Sequence, residues 1–145
     1  MRLVVQRSKE SSVTVDKKIV GKINFGLVVL VGFTHTDTLD DIKHLAKKLV
    51  NLRIFDDENK VMNKSLLDVN GSILSISQFT LYADTKKGNR PSYVNSMKAS
   101  DASHLYDLFN EELKKYNVEV QTGIFQADML VNINNDGPVT IILES

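Results

Sequence analysis

A chain of 145 residues, 42% hydrophobic and 25% charged, has the make-up of one ordinary globular domain, expected to span 1–145. Its 18 basic residues balance 18 acidic ones and it has no cysteine. That excludes a disulfide framework, thiolate metal sites and a cysteine nucleophile, and it leaves no general basic excess for sequence-independent DNA binding.

The N-terminal residues Met1-Arg2-Leu3-Val4-Val5 have no long apolar stretch with a cleavage site, so a cytoplasmic protein without a signal peptide is expected. Val13, Val15, Ile19 and Ile23 flank the polar Asp16-Lys17-Lys18, which reads as a hairpin. Phe25 to Phe33 is a nearly continuous apolar run. It has strand length, far short of the roughly 18 residues of a membrane span, and suits a strand buried on both faces. Thr38, with Asp41 three residues on, signals a capped helix start, and Leu39, Ile42, Leu45, Ala46 and Leu49 follow at helical spacing. From Gly71 the chain is strand-like through Leu81, until the loop around Gly88 and Pro91. A second helix follows Asp101, with Ala102, Leu105, Phe109, Leu113 and Tyr116 on one face. Val118-Glu119-Val120, Met129 to Ile133 and Val139 to Leu143 read as strands, the last two separated by the turn signal Asn134-Asn135-Asp136-Gly137-Pro138. The pattern predicts an α+β fold: a curled mixed or antiparallel sheet, or a barrel-like one, with two main helices. Long apolar strands leave edges to protect, which favours a homodimer.

Conventional catalytic signatures are missing. His35, His44 and His104 show no metal-site spacing, no Gly-rich phosphate loop is present, and no serine sits in a nucleophile elbow. Neither a metal nor a cofactor is expected. Two segments are polar where strands should be apolar. In Ser75-Ile76-Ser77-Gln78-Phe79-Thr80, strand alternation would put Gln78 and Thr80 on one face, with Ser77 and Phe79 on the other. Such groups must find partners, in the protein or in a ligand. The second segment, Asn134 to Thr140, reads most simply as a hairpin turn. Lys86-Lys87-Gly88-Asn89-Arg90 is the best basic patch, either a solvated loop or an RNA contact.

Ser77-Gln78-Phe79-Thr80 and Asn135-Asp136-Gly137-Pro138-Val139-Thr140 resemble the two signature segments of the D-aminoacyl-tRNA deacylases, the D-Tyr-tRNA deacylase family. Val5-Gln6-Arg7, Asn51 to Phe55, Lys86-Lys87-Gly88, Arg90-Pro91-Ser92 and Ala127-Asp128-Met129 fit in order, so the resemblance covers essentially the whole chain. It departs at Gln126, where the family usually has glycine, and at Ser8-Lys9-Glu10, which replaces a more apolar stretch. The resemblance implies a homodimer that hydrolyses D-aminoacyl-tRNA, and glycyl-tRNA, at sites on the subunit interface. It implies that Ser77, Gln78 and Phe79 bind the substrate and that Thr80 is a positioning group or, alternatively, the nucleophile. A cis Gly137–Pro138 peptide, braced by Arg7 and offered to the partner's site, would reject L-amino acids. Lys86, Lys87 and Arg90 would touch tRNA phosphates. A non-catalytic nucleic-acid-binding module and a hydrolase of small amino-acid esters are the competing readings.

Overall fold

In the computed structural model, which describes residues 1–145, the chain opens with β1 (Arg2–Ser8), β2 (Ser11–Val15) and β3 (Lys18–Ile23). The last two form the expected hairpin. Val15 pairs with Lys18, and the two residues between, Asp16 and Lys17, have φ of 47° and 64°. Positive φ at both central positions is what a two-residue loop needs to match the right-handed twist of its strands. β4 (Gly26–Gly32) follows, its apolar run buried almost throughout. Leu27, Val29 and Val31 enter the main core while Val28 enters a second one on the opposite face. A strand covered on both faces has little place for a polar side chain, hence its composition.

Thr38 caps α1 (Leu39–Val50) in a reciprocal capping box: the Asp41 carboxylate accepts the Thr38 N–H at 2.8 Å and the Thr38 hydroxyl proton at 2.7 Å. These bonds hold the Asp41 carboxyl below its ordinary pKa. The buried stripe is Ile42, Leu45, Ala46, Leu49 and Val50; Leu39, expected to share it, is 52% exposed because it precedes the sheet-facing turn. A small hairpin, β5 (Phe55–Asp56) and β6 (Met62–Lys64), leads to β7 (Ser72–Ser77), a 3-10 turn (Phe79–Tyr82) and α2 (Ala99–Lys114). The chain ends with β8 (Val120–Thr122), β9 (Leu130–Asn132) and β10 (Asn135–Glu144).

One sheet has the order β10-β1-β4-β7-β8, with β1 antiparallel to both neighbours and β4, β7 and β8 parallel. The other has the order β3-β2-β9. The α+β class and the mixed sheet are as expected, but the sheet is open and not barrel-like. β8 and β10 lie at its opposite edges with no hydrogen bonds between them. The helices cover one face of the large sheet, where Leu3, Val5, Ile73, Phe109 and Leu113 are fully buried. Val13, Ile23, Val28, Leu74 and Ile76 fill the space between the two sheets.

Two local expectations are corrected. The strand from Gly71 does not run to Leu81: pairing stops at Ser77, so the proposed alternation of Ser77 with Phe79 and of Gln78 with Thr80 does not apply. Asn134 to Pro138 is not a hairpin turn either, since Asn135 to Pro138 already belong to β10.

Candidate active site

The parallel strands β4 and β7 end side by side, Val31 opposite Ser77. A cavity of about 510 Å³ opens there. Chain segments leaving the carboxyl ends of parallel strands in different directions create such a crevice. One wall is Ile76, Ser77, Gln78 and Phe79, and the facing wall is the loop Phe125 to Met129. Val31 and Phe33 come from the end of β4, Met97 from the approach to α2, Ala99 and Ala102 from its first turn, and Val131 from β9. Of 15 lining residues 11 are hydrophobic, so the few polar groups decide how a ligand is oriented.

The polar wall turns sharply. Gln78 donates its N–H to the Val31 carbonyl at 2.7 Å, one rung past the end of β7, and the chain then winds into the 3-10 turn. At the start of such a turn the N–H groups of Phe79 and Thr80 have no partner within it. The Gln78 side-chain amide donates to Thr80 Oγ1 at 2.5 Å, and the Ser96 hydroxyl donates to the Phe79 carbonyl at 2.9 Å. Phe79 is 58% exposed, its ring edge-on to Tyr93 with centroids 5.0 Å apart. Thus Ser77, Gln78 and Phe79 line the cavity, while Thr80 stands just outside its wall, tied to Gln78. No histidine or carboxylate is hydrogen-bonded to the Thr80 hydroxyl. His35 contacts the Val94 carbonyl at 2.8 Å, and His44 and His104 are exposed on the helices.

The second signature segment is elsewhere. Gln6 pairs with Thr140 and Ser8 with Asn135, so Arg7 alone faces Asp136, Gly137, Pro138 and Val139. The surplus residues bulge outward, and the Gly137–Pro138 peptide bond is cis. Arg7, nearly buried, braces the bulge: Nε donates to the Asp136 carbonyl at 3.1 Å, and Nη1 donates to the Ile54 carbonyl at 2.9 Å and to Asp56 Oδ1 at 3.2 Å. Asn135 accepts the Val139 N–H at 3.1 Å and donates to Thr140 Oγ1 at 2.9 Å, which closes the base of the bulge. Gly137 has φ of 124°, and a Cβ there would sit 2.9 Å from Val139 Cγ2 and 3.1 Å from Arg7 Nη2. Gly137 and Pro138 are exposed and take no part in the cavity. Within one chain the two segments are not brought together.

Lys86, Lys87 and Arg90 are exposed in a loop closed by the reciprocal backbone bonds of Asp84 and Ser92, at 2.7 and 2.9 Å. None of the three forms an ion pair within the chain, in contrast with Lys9, Lys22, Lys114 and Lys115. The Phe125 to Met129 wall had no role among the sequence-based expectations, although Gln126 marked it. The Ala127 N–H donates to the Ile124 carbonyl at 3.2 Å, and Gln126, third in this turn, has φ of 63°. Glycine is favoured at such a position, so a side chain there is costly.

The model for the D-Tyr-tRNA(Tyr) deacylase family matches residues 4–144. A D-aminoacyl-tRNA deacylase of Bacillus cytotoxicus is 59% identical over 145 residues, covering 100% of this chain and 99% of the relative. One of Bacillus mycoides is 58% identical with the same coverage. Among solved structures, the c-Myc DNA Unwinding Element Binding Protein superposes with a TM-score of 0.94 at 42% identity, covering 100% of this chain and 99% of the other. A probable eukaryotic D-amino acid tRNA deacylase shares the fold, with a TM-score of 0.84 at 18% identity over 98% of this chain and 97% of the other.

Proposed function

This chain belongs to the D-Tyr-tRNA(Tyr) deacylase family, and from that premise we propose how its cavity and bulge divide the work of one reaction. The protein is an enzyme that hydrolyses D-aminoacyl-tRNA: water attacks the ester carbonyl, the bond to the terminal ribose breaks, and the D-amino acid and free tRNA leave. The observation that carries the division is the placement of Ser77, Gln78 and Phe79 on a mainly apolar cavity with no base at Thr80.

An aminoacyl ester is already activated, so catalysis needs positioning and donors aimed at the developing oxyanion, where a single donor is worth about 10²–10³ in rate. The N–H groups of Phe79 and Thr80 fill that role, and Ser77 and Gln78 hold the terminal adenosine. A threonine nucleophile requires an activating base. The Thr80 hydroxyl instead accepts an amide N–H, which supports a positioning role. The base function then falls to the substrate: the 2′-hydroxyl beside the ester assists the attacking water.

Chirality is read by the bulge of a second subunit. Gly137 and Pro138 project into solvent, held from behind by Arg7. Placed against the partner's Ser77 to Thr80, they fill the volume an L side chain needs. That geometry spares glycine, so glycyl-tRNA is also hydrolysed. The protein therefore acts as a homodimer, and the tRNA backbone runs past Lys86, Lys87 and Arg90 in the cytoplasm.

The test is release of amino acid from D-Tyr-tRNA and L-Tyr-tRNA by the purified protein, with its mass in solution measured in parallel. Rapid release from the D-substrate alone by a dimer is expected; equal release from both, or a fully active monomer, refutes the proposal. The name of the 42%-identical structural relative favours a second reading, DNA binding without catalysis. Tight binding of duplex DNA at physiological salt, with no deacylation, would establish it.

A further inference from the structure

The two walls of the cavity part at one point. β7 and β8 share their last rung at Ser75 and Thr122, and one residue on, the Gly123 N–H donates to the Ser75 carbonyl at 3.3 Å. Beyond it β7 continues to Ser77, Gln78 and Phe79, and the other chain continues to Phe125 and Met129. Tyr106, on α2 and only 3% exposed, reaches this fork from below. Its hydroxyl donates to the same Ser75 carbonyl at 2.8 Å, while its ring lies 5.9 Å from that of Phe125. One side chain thus holds the root of one wall and leans on the other. Tyr106 itself does not line the cavity.

The surroundings are unusually polar for a core. The only buried side-chain atoms without a hydrogen-bond partner in the molecule are Ser75 Oγ and Asn110 Oδ1. Asn110 lies one turn along α2 from Tyr106. An apolar trio would fill this space without stranding polar atoms, and each buried polar group left unpaired opposes folding. A cost concentrated where the cavity walls diverge points to function and not to stability.

We propose that Tyr106 is a positioning residue, whose hydroxyl bond to Ser75 and ring contact with Phe125 set the separation of the two walls and so the placement of the ester. This rests on the deacylase reading, with the cavity as the substrate site. Misplacement of reacting groups by about 1 Å costs up to 10²-fold in rate. Tyr106→Phe keeps the ring and removes the bond. We expect kcat on D-Tyr-tRNA to fall about tenfold with KM changed less than about twofold, and the backbone amide resonances of Ser77 and Gly123 to shift. Leu45→Val, in the core under α1, serves as a control that lowers Tm without touching the fork. Unchanged kcat in a folded Tyr106→Phe, or an equal fall in the control, overturns the inference. Should Tyr106→Phe not fold, Phe125→Leu removes the other contact: a shifted amide resonance of Ser77, on the opposite wall, upholds the proposal and an unmoved one overturns it. An inactive wild type would refute the deacylase reading itself, whereas the amide shifts report on the fork in either case.

Discussion

Ser75–Thr80 and Asn135–Thr140 begin from the same anomaly, polar residues inside apolar strands, and the fold treats them oppositely. The first runs off the end of β7, which is buried on both faces, so Ser77 and Gln78 come to lie where two walls diverge and line a cavity. The second belongs to an edge strand, β10, with no neighbour beyond it to resist extra residues. There the surplus is expelled as a bulge, and Arg7 fixes its shape from the protein side. A β-bulge at a sheet edge re-aims side chains without breaking the sheet. One segment is thus a recess and the other a projection, the pair that the proposed dimer would bring into contact.

The strongest challenge to this division concerns the recess. If the substrate supplies the base, a 2′-deoxy terminal adenosine lowers kcat on the order of 10²–10³-fold, whereas Thr80→Ala lowers it less than about tenfold. Single-turnover rates on both substrates decide this, and a trapped acyl-Thr80 intermediate would reverse it. The projection is tested through its brace. Arg7→Ala leaves the Ile54 and Asp136 carbonyls without their donor and costs about 2 kcal/mol, read from urea denaturation. Gly137→Ala forces a Cβ against Val139 and Arg7 and costs about 1 kcal/mol. Both variants release L-Tyr from L-Tyr-tRNA faster than the wild type while retaining most D-activity. If L-rejection is intact in both, the bulge does not read chirality.

Smaller effects lie outside both segments. Replacing Lys86, Lys87 and Arg90 together by alanine flattens the dependence of log K on log salt by about 2–3, close to 0.7–0.9 for each lost phosphate contact. An unchanged slope returns them to an ordinary solvated loop. Gln126→Gly relieves a left-handed residue, a gain of roughly 1–2 kcal/mol offset by about half that through a more flexible unfolded chain. A Tm rise of a few degrees is the expected outcome.

Local chemistry made much of this legible in the sequence. The Thr38–Asp41 capping box, the Asp16-Lys17 turn and the two-sided burial of β4 depend on neighbouring residues and on apolar content alone. The signature segments were visible because polar residues in strands are conspicuous, and Lys86, Lys87 and Arg90 because a basic loop is. Whether the strands closed into a barrel was not written there. That depends on whether β8 and β10, far apart in sequence, meet at an edge, and they do not. Nor could alternation show that pairing ends at Ser77, because the end is set by where β4 ceases to accompany β7. The bulge looked like a hairpin since turn residues serve both purposes; the one-against-four mismatch with Arg7 comes from register across the whole chain. The wall from Phe125 to Met129 and the tie from Tyr106 to Ser75 likewise come from packing between distant segments. Sequence determined which residues are chemically exceptional, through propensity and pattern. Tertiary structure alone decided which of them share a cavity, because that is fixed by long-range packing and strand register.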